Sequence, residues 1–184
     1  MPESAGTKNE ISSRNSSQCA ENEPKHIMPK IKIIVVDHTR SLFLKEGEVF
    51  YLNRLRKYIQ VDWVEVKPVK ISQGGSEQKI LALEGERITQ RLGQNDYSVC
   101  LDRSGNQYDS ERLAAWLDSL LNRAEQWVSF IIGGPLGLSK DILHRSREVL
   151  SLSQFTLTHE MSRLILLEQL YRAFTILRGQ KYHK

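Results

Sequence analysis

The chain has 184 residues, of which 40% are apolar and 26% charged. That is the balance of one soluble globular domain large enough to bury its own core. No apolar run approaches the roughly 18 residues that span a bilayer, and the start of the chain lacks the apolar stretch of a secretory signal. The formal net charge is +4, a modest excess that by itself does not specify a polyanionic partner.

Residues 1–28 are rich in Ser, Asn, Glu and Lys, and Ile11 is their only large aliphatic residue before His26-Ile27-Met28. Such a segment buries too little surface to offset chain entropy and reads as a disordered N-terminal extension, leaving 29–184 as the folded domain. From Lys30, the β-branched run Ile31–Val36 reads as a buried strand. Ser41 to Ile59 places Phe43, Val49, Phe50, Leu52 and Leu55 near a helical period. Val61–Val66 reads as a second strand, and Pro68 with Gly74-Gly75 as a loop. Leu81, Ile88 and Leu92 then share a helical face that Gly85 weakens.

Tyr97–Asp102 reads as a third strand followed by a turn at Arg103-Ser104-Gly105-Asn106. Ser110 is the expected N-cap of a helix with Leu113, Leu117, Leu120, Leu121 and Ala124 on one face. Trp127–Ile132 is the fourth strand, ended by Gly133-Gly134-Pro135. Ser139 caps a short helix through Ile142, Leu143, Ser146 and Val149, Gln154–Leu157 reads as a short fifth strand, and a last helix runs from about His159 to Leu177. This alternation implies an α/β fold with a mostly parallel sheet and helices on both faces. Ligands of such folds gather at the carboxyl ends of strands, here after Leu101-Asp102 and at Gly133-Gly134-Pro135-Leu136-Gly137. The glycine spacing is neither the dinucleotide fingerprint nor a phosphate-binding P-loop. It serves either a loop that brings backbone close to a cofactor or a tight strand-to-helix turn.

The last helix is apolar on nearly every side, through Leu164-Ile165-Leu166-Leu167, Leu170-Tyr171, Ala173-Phe174 and Ile176-Leu177. It must be covered all round, by a second subunit in a two-fold dimer or as a central core helix. Arg172 on this helix either pairs with Glu168 one turn back or meets a substrate. The terminal Tyr182-His183-Lys184 can stack on a base, exchange a proton and contact phosphate, or simply fray. Cys19 and Cys100 have no partner at zinc spacing, so no metal site is expected. Cys100 reads as a buried thiol, which suits a reducing cytoplasm.

Several segments together resemble the ribosomal RNA large-subunit methyltransferase H family, of the knotted SPOUT class. Phe130–Leu138 is similar to its glycine loop and Leu152–His159 to its second cofactor loop. Glu168-Gln169-Leu170-Tyr171-Arg172-Ala173-Phe174 and Tyr182-His183-Lys184 are similar to its closing signature. The likeness is dense over 97–184 and fair over 30–96. It implies a cytoplasmic homodimer without membrane or metal, a trefoil knot near the C-terminus, and S-adenosyl-L-methionine held by Leu101, Gly133, Leu152, Ser153, Gln154, Phe155, Thr156 and Leu157. The implied substrate is a pseudouridine of large-subunit ribosomal RNA on the assembled ribosome, methylated at N3. The implied roles are a guanidinium from Arg172 on the developing anion, His183 in proton transfer or base positioning, Tyr182 stacking and Lys184 on phosphate. Thr158 stands where the family often has Pro, and Asp37-His38 where its first strand runs into Gly. A non-catalytic ribosome- or RNA-binding relative, and a nucleotide-binding α/β module unrelated to methylation, are the competing readings.

Overall fold

The computed structural model describes residues 30–70, 75–123 and 127–180. The 1–28 extension, Ala124 and the terminal Tyr182, His183 and Lys184 lie outside the described residues. Ten elements alternate: β1 Lys30–Val36, α1 Leu42–Leu55, β2 Gln60–Val66, α2 Glu77–Thr89, β3 Tyr97–Asn106, α3 Ser110–Arg123, β4 Val128–Ile132, α4 Lys140–Arg145, β5 Glu148–Leu150 and α5 His159–Leu177. The strands form one sheet in the order β2-β1-β4-β3-β5, and every pairing is parallel.

The sequence explains which strands are central. β1 and β4 are mostly β-branched and aromatic, interrupted by Lys32 and Ser129, and are buried on both faces, as strands inside a doubly covered sheet must be. β2 alternates with charged residues and lies at an edge. Successive side chains of β1 point to opposite faces. Ile31, Ile33 and Val35 join a core with Leu52, Leu117, Leu166 and Leu170, which α1, α3 and α5 contribute. Ile34 and Val36 join a second core with Ile88, Leu138 and Ile142, beside α2 and α4. Each fully buried aliphatic side chain contributes about 1.5–3 kcal/mol, so the larger core, on the α5 side, dominates.

Several boundaries differ from the sequence reading. Gln154–Leu157 is not a strand. The fifth strand is the three-residue Glu148–Leu150, where the apolar spacing predicts the end of a helix. α4 stops at Arg145, because Arg147 turns its N–H to the Ser98 carbonyl and starts the new strand. β3 does not turn at Arg103 but continues to Asn106, following β5 through a register shift between Leu101 and Asn106. Gly105 permits this, since a Cβ there would lie 2.5 Å from the Val149 carbonyl carbon. Asp109 rather than Ser110 caps α3, its Oδ1 accepting from the Arg112 N–H. On α1, Phe43, Val49 and Phe50 are exposed, whereas Leu44, Glu48, Leu52 and Leu55 are buried. Gly85 is no mere weak spot. It lets α2 approach α4, with a built Cβ only 3.0 Å from the Ser139 hydroxyl.

The edge strand β5 is held by one carboxylate. Glu148 accepts from the Tyr97 hydroxyl at 2.5 Å and from the Trp116 indole N–H at 2.7 Å. Burial, and then this bond to Glu148, push the Tyr97 phenol up to about 12. Cys100 is fully buried as expected, and burial pushes its thiol up to about 11.

Candidate functional site

A cavity of about 710 Å³ opens at the carboxyl ends of β4 and β5, beside the middle of β3, within the usual range of about 300–1,000 Å³ for small-molecule sites. Three separated stretches wall it: Leu101–Arg103, Ile132–Gly137 and Leu150–Ser162, the last without Gln154, Glu160 and Met161. Each stretch has a local cause. The glycine loop is a tight turn in which the Gly137 N–H donates to the Gly134 carbonyl at 2.9 Å. Pro135 at the second position and Gly137 at the fourth suit a type I turn, and Gly137 takes a φ of +84°. The turn folds back so closely that a Cβ on Gly133 would lie 2.2 Å from the Gly137 carbonyl oxygen. Only glycine fits at 133.

The third stretch is shaped by hydroxyls. Ser151 Oγ accepts from Gln107 Nε2 and donates to the Ser153 carbonyl, while Ser153 Oγ accepts from the Phe155 N–H. These bonds bend the chain where a strand had been expected and leave Phe155 84% exposed at the cavity rim. Thr158 caps α5, its Oγ1 accepting from the Met161 N–H at 3.2 Å. With φ −65° and ψ 150°, it holds a backbone that proline also favours, so the departure from the family pattern replaces a rigid ring with a cap. His159 and Ser162 complete the wall. Burial, and then the Arg163 charge, hold the His159 imidazole below its ordinary value and so favour its neutral form near neutral pH.

At the near end of β1, Asp37 is the single non-glycine residue with positive φ among the described residues, at +73°. It occupies the position where the first strand was expected to run into glycine. Aspartate tolerates this region better than most residues. Its carboxylate lies 2.8 Å from Arg40 and 2.9 Å from His38.

The chemistry of the walls is apolar and hydroxylic, with Leu101, Leu136, Leu152 and Leu157 beside Ser151, Ser153, Thr156 and Thr158. Arg103 is the one lining residue with a fixed positive charge, and Asp102 beside it in the chain accepts from the Ser104 N–H and hydroxyl. That set suits a flat base and an amino-acid chain rather than a triphosphate, which asks for several cations or a helix-end phosphate loop.

The family model described as "Predicted SPOUT methyltransferase" matches residues 29–183. The chain belongs to the SPOUT methyltransferase family. Curated relatives agree: "Ribosomal RNA large subunit methyltransferase H" of Bacillus cytotoxicus is 40% identical over 157 residues, covering 84% of this chain and 99% of that one. The protein of that name from Bacillus thuringiensis is 41% identical with the same coverage. A solved probable methylase family protein from Haemophilus influenzae Rd KW20 aligns with a TM-score of 0.49 at 12% identity, over 84% of this chain and 70% of that one.

In this SPOUT methyltransferase, seven of the eight expected cofactor residues line one cavity; Gln154 is exposed and lies off its wall. Arg172 is elsewhere. Its guanidinium is paired with Glu168 at 2.8 Å, the helical pair that its spacing allowed. It follows Ser162 by ten residues of continuous helix, about 15 Å along the axis, beyond the reach of one side chain. The last helix is also less bare than its composition suggests. It packs between α1 and α3, which cover Leu166, Leu167, Leu170, Ala173 and Phe174. Arg103 lies in the stretch after Leu101-Asp102 that the sequence marks as a ligand position, whereas Ser151 and Ser162 were missed as wall residues. The helical spacing of Ser162 from His159 was the available signal.

Proposed function

We propose that the chain is an S-adenosylmethionine-dependent methyltransferase that methylates N3 of a pseudouridine in large-subunit ribosomal RNA, on the assembled ribosome in the cytoplasm, working as a homodimer. The observation that carries this reading is the cavity built from β3 at Leu101, just past its last pairing with β4, the glycine loop at Gly133 and the 150–158 stretch. The names of the relatives at 40–41% identity support the RNA substrate. A trefoil knot belongs to the proposal; α4 and α5 packing on opposite faces, with the 151–158 stretch passing the cavity between them, supports it.

When bound, S-adenosylmethionine supplies a methyl group already activated by its sulfonium. The chain's own task is to orient the reactants and manage one proton. Leu101, Leu152 and Leu157 offer an apolar slot, while hydroxyls and backbone at 151–158 offer donors and acceptors. Arg172 stabilises the charge that develops on the base's carbonyl oxygens as N3 loses its proton. Its distance from the cavity of its own subunit supports an action across the dimer, at the cavity of the partner. Exposed Leu42, Phe43, Val49 and Phe50 on α1, with Ile176 and Leu177 at the end of α5, supply apolar surface for such an interface. In this reading, Tyr182 stacks on the target base, His183 takes part in proton transfer and Lys184 holds phosphate.

Ribosomes incubated with the purified protein and labelled S-adenosylmethionine should carry label at a pseudouridine of large-subunit RNA. The Arg172→Ala variant should keep a dimer's mass in light scattering and lose transfer by about 100-fold or more. No label from the wild-type protein would leave only a non-catalytic ribosome-binding relative. Near-normal transfer by Arg172→Ala would remove that residue from the mechanism, and a monomer's mass would remove the dimer.

A further inference from the structure

A buried ionic cluster stands directly behind the cavity wall. Arg163 has no exposed surface at all, although arginine is rarely buried without partners. Its Nη2 donates to the Val36 carbonyl at 2.6 Å and its Nη1 to the Thr39 hydroxyl at 2.8 Å. Thr39 passes the contact on, donating to Glu48 Oε1 at 2.6 Å, and Glu48 is itself 5% exposed. The Nε of Arg163 is buried without a partner. Burial raises the Glu48 carboxyl and lowers the Arg163 guanidinium, so each is disfavoured as an isolated charge and needs the other nearby.

The same turn of α5 makes a second contact. Glu160 accepts from the backbone N–H groups of Arg40 at 3.0 Å and Ser41 at 3.2 Å. Ser41 makes no side-chain cap for α1, so α5 caps that helix from outside. At helical spacing, Glu160 and Arg163 share one face, turned to the loop 37–41, while His159 and Ser162 share the neighbouring face, turned to the cavity. Apolar packing alone resists separation of a helix but specifies its rotation weakly. A planar guanidinium reaching two fixed acceptors specifies both.

We propose that Arg163 is a positioning residue for the methyl-donor site: through Val36 and Thr39 it sets the rotation of the first turn of α5, and thereby the wall at Thr158, His159 and Ser162. This inference rests on the methyltransferase reading of the cavity. Thr39→Val keeps the side-chain volume and deletes the hydroxyl between Arg163 and Glu48, whereas Thr39→Ser restores it. Ser129 serves as the remote control, because its hydroxyl donates to Asp96 at the opposite, amino end of the sheet at 2.9 Å.

The test is calorimetric titration of the full-length variants with S-adenosylmethionine, beside their melting temperatures. Thr39→Val should weaken binding by about tenfold, as expected for loss of one hydrogen bond to a charged group. Thr39→Ser should bind like the wild type, and Ser129→Ala should melt earlier with unchanged affinity. Should Thr39→Val fail to fold, Arg163→Lys makes the same comparison, keeping the charge but reaching one acceptor instead of two. Wild-type affinity in a less stable Thr39→Val, or equal weakening by Ser129→Ala, would reduce the cluster to a stabilising one. A wild-type protein that takes up no S-adenosylmethionine would overturn the reading of the cavity and this inference with it.

Discussion

Asp37 and Gly133 are two backbone positions whose demands differ in how plainly their residues declare them. Gly133 sits in a Gly-Gly-Pro-Leu-Gly stretch whose turn chemistry is visible in the letters alone. Asp37 gives no such sign, because aspartate is ordinary in extended backbone and only the structure reveals its φ of +73°. The left-handed region costs a non-glycine residue about 1–2 kcal/mol. Asp37→Gly relieves that cost. It also loses the contacts with Arg40 and His38, which are 71% and 62% exposed and so contribute only about 0–1 kcal/mol together, and it loosens the unfolded chain by about 0.5–1 kcal/mol. These nearly cancel, so urea denaturation should find Asp37→Gly within about 1 kcal/mol of the wild type. Asp37→Val, branched at Cβ, should lose about 2 kcal/mol or more. Equal stability of the two variants would contradict the assignment of strain to this position. Arg172 teaches a related lesson: its pairing with Glu168 was legible from four-residue spacing, but its distance from the cavity follows from how α5 lies, which spacing does not encode.

At the scale of elements, long periodic segments were legible and short or interrupted ones were not. The parallel sheet with helices on both faces followed from alternation alone, and all five helices lie near their expected places. β5 escaped because three residues carry no period, and its neighbour Gln154–Leu157 looked more like a strand while being bent by Ser153. On α1, the buried stripe contains Glu48, and that carboxylate among Leu44, Leu52 and Leu55 hid the true face behind the more conspicuous Phe43, Val49 and Phe50. β5 depends on Glu148, which gives its anchoring a pH signature. The folded chain holds Tyr97 at about 12, above the ordinary phenol value of 10.0. The unfolded chain therefore releases this proton first. The contribution is complete below pH 10 and is lost as pH climbs towards about 12. Tyr97→Phe should be less stable at pH 8, by about 1 kcal/mol for the lost hydrogen bond, and its denaturation midpoint should fall less steeply over that alkaline window. Parallel alkaline profiles for the two proteins would show that Tyr97 does not carry the linkage.

For the whole molecule, one face of the sheet is thick, with α1, α3 and α5 sharing the larger core, and the other is thin, with α2 and α4. The cavity lies at the carboxyl edge between these layers, where the loops after β4 and β5 meet the middle of β3. That location was legible from the α/β pattern, because strand ends are where backbone and ligand meet. Its closure by the first turn of α5 was not, since it depends on a buried contact from Arg163 and an exposed one from Glu160 to a loop more than a hundred residues earlier in the chain. The central claim is that this cavity holds a methyl donor. It is tested most directly by titrating S-adenosylmethionine into the full-length protein and into Gly133→Ala, whose new Cβ would meet the Gly137 carbonyl at 2.2 Å. Saturable binding by the wild-type protein, displaced by S-adenosylhomocysteine, unaffected by ATP and lost in the folded variant, is the predicted result. A wild-type protein that ignores S-adenosylmethionine, or a folded Gly133→Ala that binds it as tightly, would contradict the account.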